Sequence, residues 1–143
     1  MTETIDMPET VTEAVVNNSS PSAQVMAILK ELQTMLETLV ETGEHNYVDI
    51  RSIPLAPGEM ETLKQILGNG EVDAIISALG PTHVTETSIP GIWWVTHNNA
   101  ADEIISEFIE VTDLPEILKT QHHDLHAAPG RFKQLMSEIN PES

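Results

Sequence analysis

In the stretch SSPSAQVMAILKELQTMLETLVETG, Val25, Ile28, Leu29, Leu32, Leu36 and Leu39 recur at helical spacing and form one apolar stripe. Pro21 suits a first helical turn, Ser20 or Ser22 can cap it, and Gly43 supplies a stop. The period then changes. NYVDIRSIPL alternates, with Tyr47, Asp49 and Arg51 on one face and Val48 and Ile50 on the other, which predicts a strand ended by Pro54. APGEMETLKQILGNG predicts a short helix, with Glu59 and Glu61 at its positive end and Gly68 closing it. Four apolar or alternating segments follow: EVDAIISALG, HVTETSI, IWWVTH and EIISEFIEVTD. They are separated by Gly80-Pro81, Pro90-Gly91 and the turn NNADE, as in a meander. In the last of them Ile105, Ile109 and Val111 share a face with Glu107, while Ile104 and Phe108 lie on the other. LPEILKTQHHDLH predicts a helix opening at Asp113. APGRFKQLMSEI predicts a terminal one, with Phe132, Leu135, Met136 and Ile139 at matching spacing and AAPG as the fraying end between the two.

Strands bordered by helices at both ends indicate an α+β fold: a mainly antiparallel sheet of four to five strands with N-terminal and C-terminal helices packed on it. Residues 1–20 carry acids but no Lys or Arg and little periodicity, so they predict a disordered acidic leader; residues 21–143 predict a single domain. The sheet poses one geometric problem. Trp93 and Trp94 are adjacent on a strand and must point to opposite faces. Trp94, with Ile92 and Thr96, is the expected core residue. Trp93, with Val95 and His97, requires a second layer, a homodimer contact or a client that covers an exposed indole.

Composition adds constraints. The 143 residues contain no cysteine, which excludes disulfides, thiolate nucleophiles and cysteine-held zinc or iron–sulfur groups in this chain. Two Trp, one Tyr and two Phe leave the core to Ile, Leu, Val and Met. Six Lys plus Arg face 23 Asp plus Glu, a formal charge of −17. That field repels phosphate backbones and anionic lipid, so nucleic acid and membranes are not expected partners. It serves solubility or draws a basic partner during encounter. No apolar run reaches the roughly 20 residues that span a bilayer, and the N-terminus lacks a signal-peptide pattern. A cytoplasmic protein is expected.

Candidate chemistry is sparse. His122 and His126 share a helix face, and two imidazoles at that spacing can ligate nickel or zinc. A third ligand from elsewhere is needed, so an ordinary polar helix end is the simpler reading. His83 and His97 would approach if their strands pair, with Glu86 nearby. No GxSxG or cysteine accompanies them, which favours a solvated polar pair over a hydrolase. Glu44, His45, Asp49 and Arg51 gather at a helix-to-strand junction. Arg51 either pairs with Asp49 or a neighbouring acid, or the group faces a partner. No catalytic residue and no cofactor are assigned.

GEHNYVDIRSIPLAPGE, LGNGEVDAIISALGPTHVTETSIPGIWWVTHNN and ADEIISEFIEVTDLPEIL, taken together, resemble the conserved region of the HupH/HyaF hydrogenase expression and formation proteins, over about residues 25 to 125. The resemblance implies a non-enzymatic accessory role in maturation of [NiFe] uptake hydrogenases. The implied partner is the immature small subunit, with a thioredoxin-like maturation factor acting alongside. The alternative is a nickel- or iron-handling protein of the same pathway. Residues within the matching phrases that could form a protein-binding surface are Glu44, His45, Asp49, Arg51, Glu86, Trp93 and His97.

Overall fold

The computed structural model describes residues 20–141, so the leader expected over residues 1–20 lies, but for Ser20, outside the described residues. Helix α1 (Ala23–Thr42) starts where Ser22 Oγ accepts the Val25 N–H at 3.1 Å. It ends at Gly43, whose left-handed φ of 79° lets its N–H reach the Leu39 carbonyl. Val25, Ile28 and Leu32 are buried, with Leu29, Leu36 and Leu39 packed beside them; this is the stripe the sequence spells out.

Strand β1 (Asn46–Asp49) is shorter than its alternation suggests. At Ile50–Ser52 the chain turns into a 3-10 turn: Ser52 Oγ donates to the Asp49 carbonyl at 2.8 Å and the Ile53 N–H bonds to Ile50. A serine that satisfies the backbone locally competes with the strand ladder here, and the turn wins. Ile50 is buried, and Arg51 is left exposed on the turn. Helix α2 (Glu59–Leu67) follows. The Glu59 carboxylate is held below its ordinary range by a hydrogen bond to Ser22 and by the Ala56 N–H, so one side chain joins the starts of both helices.

Strands β2 (Asp73–Ile76), β3 (Thr82–Glu86), β4 (Ile92–Asn98) and β5 (Ile104–Val111) complete a five-stranded antiparallel sheet, ordered β1-β5-β4-β3-β2. The register aligns Val48 with Ile109, Trp94 with Ile109, and Ile92 with Val111. Those residues join the α1 stripe and Leu63 and Leu67 of α2 in one core. The fold class is therefore α+β, as the element pattern predicts. On the other face Trp93, Val95 and Val84 are also buried, and the Trp93 indole N–H donates to the Thr112 carbonyl at 3.0 Å. Both indoles are buried.

Leu114–Ser143 forms a second compact unit. It holds a 3-10 turn (Glu116–Leu118) and helix α3 (His122–Ile139). The expected pair of helices divided at AAPG is replaced by one helix that runs through Pro129. Proline removes one backbone bond there, but Leu, Ala, Lys, Gln and Met on either side favour helix strongly enough to continue it. Its Leu125, Phe132, Leu135, Met136 and Ile139 are exposed. Among the described residues no helix is long and apolar enough to cross a membrane.

Candidate functional site

Strand β5 carries an acid where the core pattern calls for an apolar residue. Glu107 shares its face with Ile109 and Val111, lies opposite Thr96, and is only 3% exposed. A buried carboxylate is tolerated when donors surround it. Trp94 Nε1–H donates to Glu107 Oε2 at 2.7 Å and Thr96 Oγ1 donates to the same oxygen at 3.3 Å. The third partner comes from α2, where Lys64 Nζ stands 3.5 Å from Oε2 and 5.0 Å from the centre of the Trp94 ring. The ammonium thus faces both a carboxylate and a π surface, each of which attracts it.

Two adjoining hollows open above this group. One, of about 460 Å³, is lined by Lys64, Gln65, His83, Thr85, Thr87 and Trp94, among others. The other, of about 380 Å³, includes Lys64, Ile75, His83, Thr96, Asp102 and Glu107. At the rim His83 Nε2 is hydrogen-bonded to Asp73 Oδ1, and both side chains are exposed. The cleft owes its shape to a close approach behind α2. The Gly70 N–H reaches the Glu86 carbonyl at 2.7 Å, and the Ser88 N–H reaches that of Leu67 at 2.8 Å. A Cβ at Gly70 would stand 2.5 Å from the Thr87 carbonyl oxygen, so only glycine lets the loop close here. The site offers a buried acceptor, a half-exposed cation and several hydroxyls, which suits recognition by charge and hydrogen bonding.

Of the residues singled out from sequence, His83 lines this cleft and the others sit elsewhere. His83 and His97 do belong to paired strands, but His83 faces Thr96 and His97 faces Thr82, so their side chains leave opposite faces of the sheet. The hydrolase constellation of His83, Glu86 and His97 is not assembled. His97 Nδ1 pairs with the Thr82 hydroxyl at 2.9 Å and its ring meets Phe108 edge-on. Glu86 Oε1 accepts the Glu71 N–H at 3.3 Å. Trp93 is 5% exposed.

His45 Nε2 lies 3.5 Å from Asp113 Oδ1. Beside them burial raises the pKa of Glu110, and the charge of His45 works the other way. Glu44, Asp49 and Arg51 are exposed, and among the described residues Arg51 makes no ion pair with Asp49 or another acid. The rings of His122 and His126 lie 4.5 Å apart, and among the described residues no group of three or more His, Cys, Asp or Glu is placed to hold a metal. Sequence reasoning noted the face of Glu107 but singled out neither it nor Lys64 as a site residue. The available signal was Glu107 itself, a charge in step with Ile109 and Val111.

Comparison with known proteins agrees with this fold. The chain is similar to hydrogenase expression/formation protein HupH of Rhodobacter capsulatus, 28% identical over 97 residues, covering 68% of this chain and 35% of the relative. It is similar to HupQ of Azotobacter chroococcum mcd 1, 33% identical over 95 residues, with 66% and 32% covered. It therefore spans about a third of the length of these curated relatives. A solved structure, hydrogenase expression protein HupH from Thiobacillus denitrificans ATCC 25259, superposes with a TM-score of 0.78 at 35% identity, over 83% of this chain and 99% of the other. A profile of the HupH hydrogenase expression protein, C-terminal conserved region, matches residues 23–139, and the chain belongs to that family.

Proposed function

We propose that this protein is a non-enzymatic accessory factor of hydrogenase maturation that binds an immature hydrogenase small subunit. The observation that carries the reading is the match to the hydrogenase expression family over nearly all the described residues. The relatives are named for hydrogenase expression and formation. The chemistry of the chain is in keeping with binding. It has no cysteine with which to hold a cluster or reduce a disulfide, so a redox step would fall to another protein, such as a thioredoxin-like factor. Its most organised polar site is a cleft built for charge recognition, with an ion pair instead of a nucleophile–base pair. The strong negative charge hastens encounter with a basic surface.

The test is capture of the hydrogenase small-subunit precursor by the tagged full chain from cells that express both. Enrichment of the precursor over the mature subunit is the expected result. Its absence, under conditions in which other maturation factors retain the precursor, overturns the assignment.

A further inference from the structure

The Glu107 carboxylate is used on one side only. Trp94, Thr96 and Lys64 all address Oε2, and Oε1 receives no donor from any described residue. An acceptor oxygen on a side chain this buried is costly when unmatched, and Glu107 is among the residues that line an open hollow. The Lys64 contact is a loose one. At 3.5 Å it is longer than a charge-assisted hydrogen bond, and half of the lysine side chain is exposed. If its ammonium swings to solvent, the buried Glu107 carboxylate loses its countercharge, which an incoming cation would restore.

The walls suggest what reaches Oε1. Ile75, Pro81 and Ile104 give the hollow an apolar side that suits a methylene stem. Asp102, on the same rim, has one carboxylate oxygen engaged by Asn98 Nδ2 at 3.0 Å. A second acid lining the same hollow favours a flat group with several donors over a compact ammonium. A guanidinium is also more weakly hydrated and sheds its water more readily. Anions are disfavoured, because the one cation lining this hollow, Lys64, already faces Glu107 and the whole chain carries −17.

We propose that the hollow above Glu107 binds a guanidinium group, presented by an arginine side chain of a partner protein. The source of the arginine rests on the protein-binding reading above; the guanidinium chemistry does not.

The two tryptophans provide an internal reporter. Trp94 donates its indole N–H to Glu107, whereas Trp93 donates to the Thr112 carbonyl. Titrating acetyl-arginine methylamide into ¹⁵N-labelled full chain should move the Trp94 indole signal saturably and leave that of Trp93 in place. The citrulline analogue, of the same shape without charge, should move neither. Glu107→Gln should weaken binding by roughly tenfold or more, and Lys64→Met should tighten it by about threefold by removing a competing cation. If the Gln variant loses its fold by circular dichroism, the Lys64→Met titration decides alone. No saturable shift, an equal response to citrulline, or unchanged affinity in Lys64→Met overturns the proposal. Free arginine binding roughly tenfold tighter than the blocked form, about 1.4 kcal/mol, overturns the partner side chain as the source in favour of the amino acid. These outcomes are independent of precursor capture: a silent cleft with a captured precursor defeats only the guanidinium site, and the reverse defeats only the named partner.

Discussion

The sheet face under α1 and α2 is two surfaces in one. Towards β1, Val48, Ile109, Val111 and Ile92 meet the leucine stripe of α1 in an apolar layer. Towards β3, the same alternation delivers Thr96, Glu107, Thr85 and His83, with Lys64 above them instead of a leucine. Trp94 stands at the border, its ring in the core and its N–H on Glu107. One indole lets an apolar layer end in a polar cleft without stranding a donor, which is the usual advantage of tryptophan at such boundaries. The apolar half holds the sheet to its helices; the polar half gives up packing for a site.

The sharpest way to break this contrast is to make a hole in the first half. Ile109 is fully buried between Val48 and Trp94, and Ile109→Ala should cost about 2–5 kcal/mol in urea unfolding followed by tryptophan fluorescence. A loss well below that range would mean that α1 is not seated on β5 as described. In the second half the expected effect is smaller and depends on chemistry more than on volume. Glu107→Ala leaves the Trp94 N–H without its acceptor and should cost about 1–3 kcal/mol. Glu107→Gln keeps an acceptor there and should lose distinctly less. Equal losses in the two variants would assign the role of Glu107 to packing and not to the hydrogen bond.

The first half was readable along the chain because it depends on local period. The stripe of α1, the glycine stops at Gly43 and Gly68, and the turns at Gly80-Pro81 and Pro90-Gly91 are near-neighbour signals, and they place the elements correctly. Where two local rules competed, the reading failed: Ser52 turns β1 into a 3-10 turn, and helix formers carry α3 through Pro129. The cleft was legible only in part. Parity along β5 places Glu107 on the core face, but nothing in the chain order says that Lys64 will lie over it, because that follows from how α2 is laid across the sheet. The candidates drawn from sequence gather largely on the other face. The register sets Tyr47, Glu110, Trp93 and Glu86 in one row across four strands, and local polarity gave no way of telling that Trp93 would be buried within it.

That row contains the natural control for Glu107. Glu110 belongs to the same strand but to the opposite face, without the ring of donors from described residues that Glu107 has; burial raises its pKa, with His45 working against the shift. A raised pKa means that the folded chain holds the proton more tightly than the unfolded one. The stability Glu110 contributes is therefore complete below the ordinary carboxylate value, about 4.3, and is lost as the pH climbs through the raised one. At neutral pH the charged form is a small liability. Glu110→Gln removes that liability, so the variant should melt slightly above the parent at pH 7, and the gap should close as the pH falls below the carboxylate range. The comparison is made by thermal unfolding of both proteins across that span. A difference that ignores pH, or that grows on the acid side, would show that burial does not govern Glu110. The contrast between an acid supplied with donors and one merely covered would then have to be drawn elsewhere.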